Sequence, residues 1–98
     1  MSLKVFWTEE AELTFNNNID YLIENWSIEV VDRFINKTEE AIALILAHPE
    51  LHPVINKKKH IHKCIVVKQI SLYYTITGNR IDLLTFWNNY QRPGKLKL

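Results

Sequence analysis

The sequence predicts an α+β domain with the order β-α-α-β-β-β, a helical hairpin packed on one face of a mainly antiparallel four-stranded sheet. Three observations carry this. Residues 60–87, HIHKCIVVKQISLYYTITGNRIDLLTFW, are rich in β-branched and aromatic residues and broken by short turns. Ala11, Phe15, Ile19, Leu22 and Trp26 recur at helical spacing, and so do Val31, Phe34, Ile35, Thr38, Ala41, Ile42, Ile45 and Leu46. Only one or two residues separate those two stripes, which forces a close antiparallel hairpin.

Taken in order, Leu3 to Trp7 reads as a short strand. Thr8 is placed to cap the first helix, from about Glu9 to Asn25, with Glu9 and Glu10 in the turn where the helix dipole favours acids. Asn16-Asn17-Asn18 falls on its polar side as a soft spot, because Asn is a poor helix former. Ser27 caps the second helix. His48-Pro49 ends it, since proline excludes the helical conformation from the residue before it. Residues 50–59 read as a loop that delivers Lys57, Lys58 and Lys59 to the sheet.

Gly78-Asn79 suits a two-residue hairpin turn, which pairs Thr77 with Arg80 and Tyr73 with Leu84. Ile70, Leu72, Tyr74, Ile76, Ile81 and Leu83 then face the helices. Ser71, Tyr73, Thr75, Asp82, Leu84 and Phe86 take the other face. A tight turn at Lys68-Gln69 adds His60, His62, Cys64 and Val66 to that open face, and a one-residue slip reverses all four.

The 98 residues form one domain, 1–98. No 18-residue apolar run and no signal-peptide pattern is visible, so no membrane association is expected. Cys64 is the single cysteine, which excludes an internal disulfide and suits a cytoplasmic protein. His60, His62 and Cys64 alternate as ligands on one strand face would, but a fourth ligand is not evident, and neither metal nor cofactor is assigned. With only two glycines, a phosphate-cradling loop is excluded. The net charge of +1 hides a division: residues 1–50 hold three Lys or Arg against ten acids, and residues 51–98 hold nine against Asp82 alone. Such a basic half points to a polyanionic partner.

These features resemble the RelE/ParE superfamily, the toxin halves of type II toxin–antitoxin modules often labelled plasmid stabilisation proteins. The resemblance covers nearly the whole chain. It rests on the opening Val5-Phe-Trp-Thr-Glu-Glu-Ala11, on Tyr21-Leu22-Ile23, His48-Pro49, the strand His62 to Val67, the strand Leu72-Tyr73-Tyr74-Thr75-Ile76, and the ending Phe86 to Pro93. It implies a growth-inhibiting toxin that cleaves mRNA on the ribosome or poisons DNA gyrase, and that a cognate antitoxin silences in a hetero-oligomer. A degenerate toxin that only binds antitoxin is the alternative.

The resemblance also implies where chemistry belongs. Lys63 matches the strand lysine, His62 stands where arginine is usual, and Tyr90 and Arg92 supply the tail's phenol and guanidinium. A ribonuclease needs cations for the developing phosphorane charge and a Tyr or His to move the proton. Lys63, Tyr90, Arg92 and His62 are therefore the candidate catalytic residues, and Lys57, Lys58, Lys59 and Tyr73 the candidate target contacts. Leu84, Phe86 and Trp87, apolar at the end of the last strand, are the expected antitoxin surface. The tight-turn register places His62 outward and Lys63 towards the helices, opposite to what the motif asks of Lys63.

Overall fold

The structure is a computed structural model; it describes residues 3–91, 95, 96 and 98. The chain runs β1 (Lys4–Trp7), α1 (Glu9–Asn25), α2 (Ile28–Ala47), β2 (Val54–Asn56), β3 (Ile61–Val67), β4 (Ile70–Thr77) and β5 (Arg80–Asn88). The strands form one sheet in the order β1-β5-β4-β3-β2. β1 runs parallel to β5 and the other pairings are antiparallel. The sheet has five strands where the sequence suggested four. The added strand, β2, lies within the segment read as a loop. Its three residues follow Pro53 and carry no two-residue period of their own, and they become a strand only by pairing with β3.

Both helix caps form as expected. The Thr8 hydroxyl accepts from the Ala11 amide at 3.0 Å and that of Ser27 from the Val30 amide at 3.4 Å. Thr8 also donates to the Leu83 carbonyl at 2.7 Å, tying the start of α1 to β5. α1 is continuous through the asparagine triplet, and the triplet is not wholly polar surface. Asn18 is buried, and its amide donates to the Phe86 carbonyl at 2.8 Å. β1 covers the outer edge of β5 only as far as Leu83. Beyond it, Thr14 accepts from the Phe86 amide at 2.9 Å, so α1 side chains replace a strand there.

The helices cover the sheet face bearing Ile70, Leu72, Tyr74, Ile81 and Leu83, all fully buried. Two β-bulges then redirect the neighbouring strands. In β5, Tyr73 pairs with Thr85 and Tyr74 with Leu83, leaving Leu84 as the extra residue. Phe86 therefore turns inward, 1% exposed, rather than lying on the open face. In β3, Val67 pairs with Ile70 and Ile65 with Ser71, leaving Val66 extra. The turn at Lys68-Gln69 is tight, yet the bulge exchanges the two faces of β3: His62, Cys64 and Val66 face the helices and Lys63 the open side. Trp26, the last member of the α1 stripe, is also not in the core; it caps the helix, half exposed.

Phe86 joins an aromatic cluster. It stacks on Trp7 at 5.4 Å and meets Phe15 and Phe34 edge-on at 5.2 and 6.0 Å. Each such pair adds about 0.5–1.5 kcal/mol beyond area burial. Phe34→Ala should therefore lower unfolding free energy by about 3–5 kcal/mol. Ile42→Ala, on the partly buried flank of the same helix, should cost less, about 2 kcal/mol. Denaturant melts of the two variants check the order, and an equal loss in both would place the core elsewhere.

Candidate functional site

The sheet face turned away from the helices collects the candidate site; Ser71, Tyr73 and Thr85 on it are buried, and Leu96 lines the groove that crosses it. Lys63 pairs with Tyr73, and Tyr73 with Thr85; one row along, Ile65 pairs with Ser71, and Ser71 with Trp87. A groove of about 340 Å³ runs over these rows, lined by Lys63, Ser71, Tyr73, Trp87, Asn89 and Leu96 among others. Trp87 also borders a cleft beside α1 that holds Glu10 and Asn17. Burial raises the Tyr73 phenol above its ordinary value, so at neutral pH it is a donor and not a base.

The end of the groove is built by the turn after β5. Asn89 accepts from the Ser71 hydroxyl at 2.9 Å, its side-chain amide donates to the Lys68 carbonyl at 3.1 Å, and its backbone amide donates to the Gln69 carbonyl at 2.7 Å. Asn88 accepts from the Tyr90 amide at 2.9 Å. This pair therefore spends its polar groups on holding the turn. Sequence reasoning assigned no role to Ser71, Asn89 or Leu96. The alternation of β4 marks Ser71 as outward, but only the pairing brings Asn89 to it.

The predicted residues separate. Lys63 and Tyr73 share the groove with Trp87. Tyr90 does not line it; its ring stacks on Trp26 at the end of α1, centroids 6.3 Å apart. Lys57, Lys58 and Lys59 are exposed in the β2–β3 loop, which Asn56 fixes by accepting from the Lys59 amide at 3.0 Å. Leu84 is half-buried at the bulge. Phe86 is core and offers no surface to a partner. Arg92 lies outside the described residues. The lone acid of the basic half, Asp82, is held by Arg80 at 2.6 Å.

His62 is in a different environment. It is buried on the helix side, its ring stacked on Tyr74 at 5.0 Å. Its Nδ1 is 2.8 Å from the His52 carbonyl and so carries the proton. Its Nε2 is 3.9 Å from Glu50. Tyr74 donates to the Pro49 carbonyl at 2.9 Å, and its phenol is pushed up to about 12, first by burial and then by Cys64 and Glu50. Burial likewise raises the Cys64 thiol, which packs as a small hydrophobe. This cluster fastens the segment after α2 to the sheet. Among the described residues, no three His, Cys, Asp or Glu side chains gather as a metal site would require.

No protein-family model and no curated protein matches the chain. Solved structures do. A chromosomal ParDE TA system from P. aeruginosa superposes with TM-score 0.73 at 11% identity, over 89% of this chain and 96% of that one. The chain has the RelE/ParE toxin fold. The YoeB dimer from Staphylococcus aureus matches this fold with TM-score 0.62 at 14% identity, over 92% of this chain and all of that one. The heterotetrameric YoeB-YefM toxin-antitoxin complex from the same organism matches at 0.59, with the same identity and coverage. At such identities the likeness is one of backbone fold. No helix of the described residues is long and apolar enough to cross a membrane.

His52 yields a pH prediction. Its pKa is lowered from 6.5 by burial and then by His62. The unfolded chain therefore takes up this proton at higher pH than the fold does. Stability is retained above about 6.5 and falls as pH drops through the depressed value. Thermal melts across this range should show the decline, and His52→Asn should flatten it.

Proposed function

We propose that this protein is the toxin half of a type II toxin–antitoxin pair that slows growth by binding its target through the open sheet face, without cleaving RNA. One observation carries the reading. The described residues lining the groove include a lysine, a tyrosine whose phenol is held protonated, a tryptophan and neutral polar groups, but no imidazole and no carboxylate. Phosphodiester cleavage needs a group that removes the 2′-OH proton near neutral pH. His62 is turned to the other face and Tyr90 is stacked on Trp26. Lys63 and Trp87 remain suited to recognition: a cation for an acidic or phosphate surface, and a large ring for the centre of an interface.

Of the two targets the fold resemblance implies, DNA gyrase suits an inhibitor that acts by occupancy alone. The shared fold with chains of the ParDE system and the YoeB-YefM complex supports a cognate antitoxin as partner. That antitoxin would cover the same face, meeting Trp87 and the half-buried Leu84.

Supercoiling and cell-free translation assays, run side by side with purified protein, test the proposal. Supercoiling should stop while translation and its mRNA remain intact. Lys63→Ala and Trp87→Ala should each weaken inhibition by about tenfold or more, the loss typical of a central contact. Tyr73→Phe should leave it nearly unchanged. Ribosome-dependent cuts in mRNA that vanish in Lys63→Ala or Tyr90→Ala would restore the catalytic reading.

A further inference from the structure

We infer that the tip of the helical hairpin is a second docking surface, which takes an apolar segment of another protein carrying Lys or Arg. It lies apart from the open sheet face and does not rest on the toxin reading. The tip gathers large apolar side chains left in water: Ile23 is 53% exposed, Trp26 46%, Ile28 60% and Tyr90 53%. They come from the last turn of α1, the cap, the first turn of α2 and the segment after β5. Clustered exposed apolar residues of this size mark interaction sites.

The patch is held in shape. Trp26 and Tyr90 stack with an interplanar angle of 13°. The Tyr90 backbone is fixed by Asn88, and the Trp26 amide donates to the Leu22 carbonyl at 2.9 Å. A rigid aromatic pair loses little conformational freedom on binding, which is why such rings act as anchors.

The charge around it selects the partner. α1 contains no Lys or Arg, and its C-terminal part carries exposed Asp20 and Glu24. Acids at a helix C-terminus oppose the helix dipole, whose negative end lies there. The cap is made by neutral groups: the Trp26 amide, and Asn25, which donates to the Tyr21 carbonyl at 3.0 Å. Glu29 adds a further exposed acid in the first turn of α2, where the helix dipole favours it. Among the described residues, none of these three carboxylates meets a cation. Glu24, in the last turn of α1, opposes the dipole there, and a residue that breaks a local rule is expected where function requires it. An apolar centre flanked by exposed acids fits a segment with apolar residues flanked by Lys or Arg.

The probe is a labelled synthetic peptide of alternating leucine and lysine, titrated into the full chain and read by fluorescence anisotropy. A second peptide with glutamate in place of each lysine is the comparator. The lysine peptide should bind, its affinity should fall as salt is raised, and the glutamate peptide should bind at least about tenfold more weakly. Trp26→Ala should remove binding, and Asp20→Asn with Glu24→Gln should weaken it while preserving the fold by circular dichroism. Lys63→Ala should leave it unchanged. Ile28→Ser gives a second reading of the patch should Trp26→Ala unfold the chain. Equal binding of the two peptides, no binding of either, or binding lost in Lys63→Ala and kept in Trp26→Ala would overturn the inference. So would a dimer of this chain that Trp26→Ala dissolves.

Discussion

Phe86 reaches the centre of the aromatic cluster because β5 carries one extra residue at Leu84. The side-chain period of a strand is two, so a single insertion exchanges the faces of everything beyond it. Without that bulge Phe86 would stand in water. Trp87 would face the helices, and the Trp7–Phe15–Phe34 cluster would lack its central ring. The bulge at Val66 does the same for β3. It sends His62 and Cys64 under the helices and brings Lys63 out beside Tyr73. The composition of the open face is thus a product of two insertions acting on one sheet.

The helix that supports this sheet also completes it. β1 is short, and past Leu83 the outer edge of β5 would present free amide and carbonyl groups. Thr14 and Asn18 take the Phe86 amide and carbonyl instead. A buried, unpaired backbone group costs about 1–3 kcal/mol, which is ample reason for an asparagine to occupy an inward helix position despite its poor propensity. Towards the opposite edge of the sheet, the stack of His62 on Tyr74, and the latter's bond to Pro49, hold the post-helix segment where β2 can form.

Charge divides along the same lines. The acidic half of the chain is mainly helix and the basic half mainly sheet, so the fold converts a charge asymmetry in sequence into two surfaces of opposite sign. The sheet surface, with Lys63, Tyr73 and Trp87 along one groove, suits an acidic target. The hairpin tip, with Trp26 among carboxylates, suits a basic one.

Legible in the sequence are β1, the two helices with their caps, the three strands of the meander, the hairpin turn at Gly78-Asn79 and the inward residues of β4. Each of these depends on local chemistry or on an uninterrupted period. The sequence also marked Lys63 as a residue of interest through resemblance, and the basic character of the second half. The remainder follows from contacts between elements far apart in the chain. The bulges at Val66 and Leu84 have no local sequence mark, since each is settled by which register buries more apolar surface. β2 exists only through its pairing with β3. Tyr90 left the groove for Trp26, and Asn18 entered the core, because each found a partner many residues distant in the chain. Such contacts are set by packing, which periodicity and composition do not encode.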